Sequence, residues 1–530
     1  MAAADPQLRT SKVSRLGRQM KRVDRESVLI GIILLTALSL RVWGVDYDLP
    51  YIYHPDEPTN IQISQHIFKT GDLNPHYFLY PSLFFYINAL AYTPYYLFGE
   101  LTGVFHAPND ILSPISLVMG VTQAQMPTTV LLGRVITICF GVGTVWLVYF
   151  VGKQITRRTT VGLLASLMVA VSPTNVSLSR FITPDTFVTF FAVASFFAAV
   201  LVYQQGQTWH YLVAGICIGL TASSKYNGGL IVLPFLLAHF LRHGKTAFKE
   251  RNLYFALTLC GLGFFATTPF ALIDSFSFLA DLRKQMHIYS TGHAGMEGNT
   301  LRWYLGYLWD TAGIICILAT LEILRGICSR SKEIILLSIF PLVYFVFISS
   351  FVVRNDRTLL PLTPFLFLLA ASFWAHLLSK ANGLQSKALR QFSILAIACL
   401  LIAGLFLPTS KTITDTIQLM TVNSRETARI WITNNLPLGS KIAIESYSPF
   451  VDPMRFSVQG FGRMIDHEPE WYIENGFEYL VFSRGMYGRF YGESERYKAV
   501  VSQYDSLFNR FALTKVFNDG GYEIRVYKVK

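Results

Sequence analysis

Eleven apolar runs, joined by polar connections, leave this chain few ways to fold. They cover residues 27–44, 131–150, 161–176, 187–203, 209–224, 228–241, 253–270, 303–324, 334–353, 359–378 and 392–407. Hydrocarbon offers the backbone no hydrogen-bond partner, so repeated segments of this kind must satisfy their N–H and C=O groups internally, as helices. With 52% hydrophobic and 15% charged residues over 530 positions, the expectation is a polytopic, all-α membrane protein and not a soluble domain on one anchor.

The net charge of +12 would suit a nucleic-acid binder, but the cations are distributed as membrane orientation requires. Residues 1–26 form a basic tail, and counting helices from a cytoplasmic start puts Lys153/Arg157/Arg158, Arg242/Lys245/Lys249/Arg251, Arg325/Arg330/Lys332 and Lys380/Lys387/Arg390 all inside. No nucleic-acid partner is expected. The first run contains Arg41 and lacks a small-residue cleavage site, so it reads as a retained signal anchor. The segment 80–98 is apolar enough to span, yet a lone crossing there would invert every later basic loop. It is therefore expected to lie on the outer surface, to be re-entrant, or to pair with a second dip near 111–119. Residues 27–408 then form the membrane domain, with outer loops at 46–126 and 274–302. From 409 the composition changes to that of a small α/β domain, placed outside, whose expected work is binding an acceptor or covering a site. The six cysteines lie in or beside the apolar runs and indicate neither a disulfide framework nor a Cys metal site.

Candidate chemistry begins at Tyr53-His54-Pro55-Asp56-Glu57-Pro58 in the first outer loop. Pro58 suits the first position of a helix, which puts Asp56 and Glu57 at its amino end, where free N–H groups favour ionised carboxylates. Such a pair can take a proton, hold a divalent metal or simply cap the helix. The same topology brings Arg134, Arg180, Asp185, Lys225, Arg354 and Arg357 to that face. Arg134 sits within an apolar run, where a charge is costly unless paired. Plainer readings stand beside these: Lys225 snorkelling, Arg180 and Asp185 neutralising each other, and His76 as ordinary loop polarity. The aromatic crowd that includes Tyr80 suits interfacial anchoring or stacking on a sugar or isoprenoid. Gly292, Gly295 and Gly298 suggest a mobile lid in the second outer loop. The irregular spacing of His287, His293 and Glu297 is weak support for a metal, so no metal site is assigned and a divalent ion stays open.

The order of these features resembles the GT-C-fold glycosyltransferases of family 39, which include protein O-mannosyltransferases and the aminoarabinose transferases that modify lipid A. The resemblance rests on the Asp56-Glu57 pair, an Asn74-Pro75 segment followed by Tyr80-Pro81-Ser82-Leu83, Arg134, the Arg180…Asp185 turn, Lys225, and Arg357 before Leu359-Leu360-Pro361-Leu362-Thr363-Pro364. It implies a GT-C membrane domain that transfers a sugar from a polyprenyl-phosphate donor, without nucleotide, to an extracytoplasmic glycan, lipid or protein. It further implies Asp56 as general base, Glu57 positioning the acceptor or nearby cations, and Arg134, Lys225, Arg354 and Arg357 on the donor phosphate. His54, Tyr80, Arg180 and Asp185 are assigned to substrate binding. Two departures are visible. Ser82 stands where relatives often carry a Lys, and the β-trefoil domain of eukaryotic O-mannosyltransferases has no counterpart, which favours a prokaryotic inner (plasma) membrane enzyme.

A transporter or flippase of a lipid or sugar is the main alternative, but it predicts an internal repeat and charges near the midplane. A noncatalytic scaffold would be indifferent to Asp56. An oligosaccharyltransferase would carry a tryptophan-rich acceptor motif, and none is seen.

Overall fold

The computed structural model describes residues 25–529. Each of the eleven apolar runs is helical in whole or in part, beginning with a helix over 25–42. Among the described residues, five helices are long and apolar enough to cross a membrane. A sixth crossing results if Thr300–Ala312 and Ile314–Cys328, bent by 111°, count together. The sequence suggested one continuous helix there, but Gly313 between the two pieces has φ +53° and ψ −125°, which no α-helix contains.

A second expected continuous helix, 161–176, is also broken, and its break explains the charge in the first helix. Pro173 has no N–H to give Val169, so the Thr159–Val171 helix ends with unpaired carbonyls before Pro173–Leu178 begins. Arg41, fully buried, fills the gap: its guanidinium donates to the carbonyls of Val169 at 3.3 Å and Ala170 at 3.2 Å. Thr412 Oγ1 donates to the carbonyl of Val171 at 2.7 Å. The buried cation is thus a backbone cap, and Arg41 and Thr412 together tie three helices to one another.

Small residues set the closest helix pair. Gly215 and Gly219 lie four residues apart on Thr208–Ser224, facing Arg251–Thr267. A Cβ at Gly215 would stand 2.2 Å from the Ala256 carbonyl oxygen, and one at Gly219 would stand 2.5 Å from that of Cys260. Absence of side chains lets the two backbones touch, as small-xxx-small pairs do in membranes.

Over the Asp56 end of the bundle lies a second layer. Glu57–Thr70 is followed by Leu83–Leu101, which buries Phe84 and Phe85 against Phe187 and leaves Leu90, Phe98 and Leu101 exposed. The expected dip at 111–119 is not a helix. Its residues form β2 (Ile115–Val118), which pairs antiparallel with β3 (Val121–Gln123), itself paired with β1 (Tyr51–Ile52). Nor is 274–302 simply a glycine-rich loop. Its first part is the helix Ser275–Thr291, fastened to the first loop by Asn74 Nδ2 to Asp274 Oδ2 at 3.1 Å and by the Phe78 N–H to Asp281 Oδ2 at 2.8 Å.

The long helix Lys387–Leu419 runs past the boundary expected at 408, and the α/β domain follows it. Its sheet contains β4 (Lys441–Glu445), β5 (Ser457–Phe461), β6 (Tyr479–Ser483), β7 (Ala512–Phe517) and β8 (Ile524–Lys528), in the order β5-β4-β6-β8-β7. β4 runs parallel to β5 and β6, whereas β8 is antiparallel to β6 and β7. Alternation divides each strand between two cores: Ile442, Ile444 and Val481 face one way, Ala443, Leu480 and Phe482 the other. The first of these cores also takes Val121, Leu117 and Val118 from the first-loop sheet, and Gly460 lies so close to β2 that a Cβ would stand 2.5 Å from the Leu117 carbonyl oxygen.

Gly215→Val is expected to destabilise the protein by about 1–3 kcal/mol through overpacking, read as a lower thermal midpoint in detergent. Gly261→Val on the facing helix meets open space and should leave the midpoint unchanged. Equal losses at both positions would show that close backbone approach is not what Gly215 provides.

Candidate active site

The helix Glu57–Thr70 begins one position before Pro58, so Asp56 takes the N-cap position and both carboxylates stand at the amino end as the sequence suggested. The two carboxylates part company there. Glu57 points inward and is fully buried, with its oxygens 3.0 Å from Nε and Nη2 of Arg134, also fully buried. The Ile182 N–H donates to the same carboxylate at 3.1 Å, and Arg134 Nη1 donates to the Val45 carbonyl at 2.7 Å. The Tyr47 ring lies against the guanidinium at 4.0 Å. Glu57 therefore holds a cation, one of the two roles expected of it. Arg134, expected on the donor phosphate, is consumed by the Glu57 carboxylate and main-chain carbonyls. Both are positioning residues that lock the first loop onto the Pro127–Thr156 helix.

Asp56 points the other way. Its side chain makes no capping bond and instead accepts from Arg357 Nη1, with 27% and 22% of the two side chains exposed. Burial alone would raise the Asp56 carboxyl, but Arg357, His54 and Lys225 outweigh it and hold the group below the usual carboxylate value. His54 Nδ1 accepts the Asp56 N–H at 3.2 Å, which fixes the ring beside Phe181. Burial also lowers the His54 pKa, with nearby cations adding to that and the Asp56 and Glu57 carboxylates opposing it.

Arg357 is aimed by its own local structure. Asn355 caps the 3-10 turn Asp356–Leu362, its Oδ1 accepting the Arg357 N–H at 3.1 Å, while Leu359, Leu360 and Leu362 bury the rest of the turn. Lys225 stands at the break after Thr208–Ser224 and donates to Asp185 Oδ1 at 2.7 Å, with 7% and 1% of the side chains exposed. Asp185 thus pairs with Lys225 and not with Arg180, so the mutual neutralisation of Arg180 and Asp185 does not occur. Tyr80, nearly buried, lies within electrostatic range of Asp56, Arg357 and Asp185. His293 lies within range of Asp56 and Arg357, and burial together with Arg357 lowers its pKa.

Two other expected site residues lie elsewhere. Arg180 Nη2 donates to the Leu40 carbonyl and to Thr416 Oγ1, so it joins the first helix to Lys387–Leu419. Arg354, expected on the phosphate, donates to the carbonyls of Met296 and Glu297 and pairs with Glu493 of the α/β domain at 2.7 Å. Glu297 in turn accepts from the Tyr497 hydroxyl. The segment read as a mobile lid is thereby pinned between the bundle and the α/β domain, and Gly292 and Gly295 serve turns at φ +88° and +79°. Among the described residues, no group of three or more His, Cys, Asp or Glu side chains is placed to hold a metal ion.

This arrangement of bundle, outer loop and terminal domain is that of known enzymes. The crystal structure of an Archaeoglobus fulgidus oligosaccharyltransferase in the apo form superposes over 95% of this chain and 74% of its own, at TM-score 0.55 and 12% identity. The oligosaccharyltransferase AglB from Archaeoglobus fulgidus, in complex with an inhibitory peptide and a dolichol-phosphate, gives the same coverage, TM-score and identity. ArnT from Cupriavidus metallidurans, bound to undecaprenyl phosphate, superposes over 94% of this chain and 97% of its own, at TM-score 0.52 and 13% identity. Residues 119–275 match the protein family described as dolichyl-phosphate-mannose-protein mannosyltransferase. Among curated proteins no sequence match is found. The fold is GT-C, and the chain is a membrane glycosyltransferase.

Breaking the buried pair from one side strands a charge. Glu57→Gln is expected to cost about 3–5 kcal/mol, seen as a lower unfolding midpoint in detergent, and Glu57→Leu combined with Arg134→Met should recover most of it. If the double substitution is as damaging as the single one, the pair does not act as a unit.

Proposed function

We propose that the protein moves one glycosyl group from a polyprenyl-phosphate carrier to an acceptor hydroxyl or amine, with inversion at the anomeric carbon. The observation that carries this reading is the Asp56–Arg357 pair, partly open and set beside the buried Lys225–Asp185 pair. A carboxylate kept ionised can receive a proton, and a cation beside it can receive a phosphate. Solved proteins of similar fold carry undecaprenyl phosphate or dolichol-phosphate, which supports the same donor class here.

At rest Arg357 neutralises Asp56. A bound donor phosphate competes for the guanidinium, and as Arg357 turns toward it Asp56 loses its strongest ionic partner and becomes more basic. The acceptor oxygen or nitrogen then attacks the anomeric carbon from the side opposite the phosphate. The bond from that carbon to the phosphate oxygen breaks, and its electron pair leaves with the polyprenyl phosphate. The acceptor proton passes to Asp56 as the new bond forms. The charge that grows on the leaving phosphate falls to Arg357 and to Lys225, whose ammonium has donors beyond the one given to Asp185. Tyr80 and His54 are proposed to line the substrate space.

We place this chemistry at the extracytoplasmic face of the inner (plasma) membrane. Support comes from the charges at the other end of the helices: Pro127 begins a 30-residue helix whose Arg134, about two turns in, meets Glu57, and Lys153 stands in its last turn, followed by Arg157 and Arg158.

Asp56→Asn is expected to lower sugar transfer by about 10²–10⁴-fold and Arg357→Ala by about 10²–10³-fold, measured in proteoliposomes with radiolabelled polyprenyl-phosphate sugar. Near-normal turnover in Asp56→Asn removes Asp56 from the mechanism. Because the Asp56 carboxyl lies below its ordinary value of 3.8, the base is ionised at every pH above that value. Its kcat/KM should therefore show no acid limb until the pH falls below 3.8, where protonation removes the base. An acid limb centred near neutrality would assign the base to another group.

A further inference from the structure

Two short 3-10 turns carry the cations proposed for the donor phosphate. Lys225 stands immediately before Tyr226–Ile231, and Arg357 lies within Asp356–Leu362. The charges themselves do not set the distance between these turns. Lys225 and Arg357 are within electrostatic range of each other and repel. Each is drawn instead to its own carboxylate, Lys225 to Asp185 and Arg357 to Asp56. Among the described residues, no direct hydrogen bond joins one turn to the other.

A third helix supplies the link. Tyr344, in Lys332–Ser349, is fully buried, its ring packed on Phe340, and its hydroxyl lies between the two turns. That oxygen accepts from Asn227 Nδ2 at 2.9 Å, and the hydroxyl donates to the Thr358 carbonyl at 3.1 Å. Asn227 is two residues after Lys225, and Thr358 directly follows Arg357. One hydroxyl can serve both turns because it carries a donor and acceptor lone pairs on the same atom. The Lys225 turn is also fastened to the first loop, where the Tyr226 hydroxyl donates to the Phe78 carbonyl at 2.8 Å.

We propose that Tyr344 is a positioning residue for glycosyl transfer, its hydroxyl setting the separation of Lys225 and Arg357 and through it their joint grip on the donor phosphate. A phosphate holds its free oxygens at a fixed spacing, so two cations share it only when their donors are spaced to match. Two repelling cations keep such a spacing only if the backbone beneath them is held by something neutral. This inference rests on the polyprenyl-phosphate reading above and adds to it a residue that touches neither substrate.

The test reads binding and not turnover: isothermal titration of farnesyl phosphate, a soluble prenyl phosphate, into the full-length protein in detergent. Tyr344→Phe keeps the ring and removes both bonds. Asn227→Ala cuts only the bond to the Lys225 turn, from a half-buried side chain whose Oδ1 has no partner in the protein. Each is expected to weaken binding about tenfold, the factor for one misaligned hydrogen bond to a charged group. In an Arg357→Ala background only one of the two cations remains and there is no separation left to set, so adding either substitution should change the affinity by less than about twofold. Wild-type affinity in both Tyr344→Phe and Asn227→Ala, or an undiminished further loss in the Arg357→Ala background, overturns the proposal, since a role in packing alone does not depend on Arg357. If the wild type binds no farnesyl phosphate, or Arg357→Ala binds it equally well, the phosphate reading itself fails and takes this inference with it.

Discussion

A carboxylate and a guanidinium buried together, Glu57 against Arg134, underlie the rest of the site. Neither group tolerates burial alone, and each has its remaining capacity met by main-chain groups at Val45 and Ile182. That satisfies the charges and fixes three pieces of chain at once: the first helix's exit, the start of Glu57–Thr70 and the turn before Asp185–Gln204. Asp56 is the residue next to this lock, so its direction is set by a neighbour that is fully buried and paired.

The contrast between adjacent carboxylates shows how environment divides roles. Glu57 is sealed and permanently paired. Asp56 meets its arginine where about a quarter of the side chain is open, so the pairing can be exchanged when another anion arrives. The Lys225–Asp185 pair is intermediate, buried yet with unused donors and one carboxylate oxygen, Asp185 Oδ2, lacking a partner. A gradient from locked to exchangeable ion pairs across one face suits the phosphate-binding role proposed for it.

The terminal domain is bound into the same design. Its sheet packs against the first-loop strands β2 and β3, its Glu493 takes Arg354, and its Tyr497 takes Glu297. The glycine-rich segment after Ser275–Thr291 is consequently a strap between domains. Glycine content alone could not distinguish a strap from a lid, because both need residues that accept positive φ. The difference lies in partners supplied from far along the chain.

What the sequence determined by itself is whatever depends on near neighbours. Apolar runs had to become helices because lipid pairs with nothing, Pro58 had to fall at the start of a helix with Asp56 and Glu57 at its amino end, and short runs of apolar and β-branched residues at 441–445, 479–482 and 523–529 mark β4, β6 and β8 as strands. β5 and β7 were not legible, since exposed and partly exposed positions dilute their alternation. Tertiary structure alone decided which cation meets which carboxylate. Arg134 and Glu57 are 77 positions apart and Arg357 and Asp56 are 301 apart, and five arginines or lysines on one face looked equivalent in a linear reading. Arg180 and Arg354 became struts for the same reason: a charge takes its role from the dielectric and the partners around it, and these exist only once the chain has closed on itself.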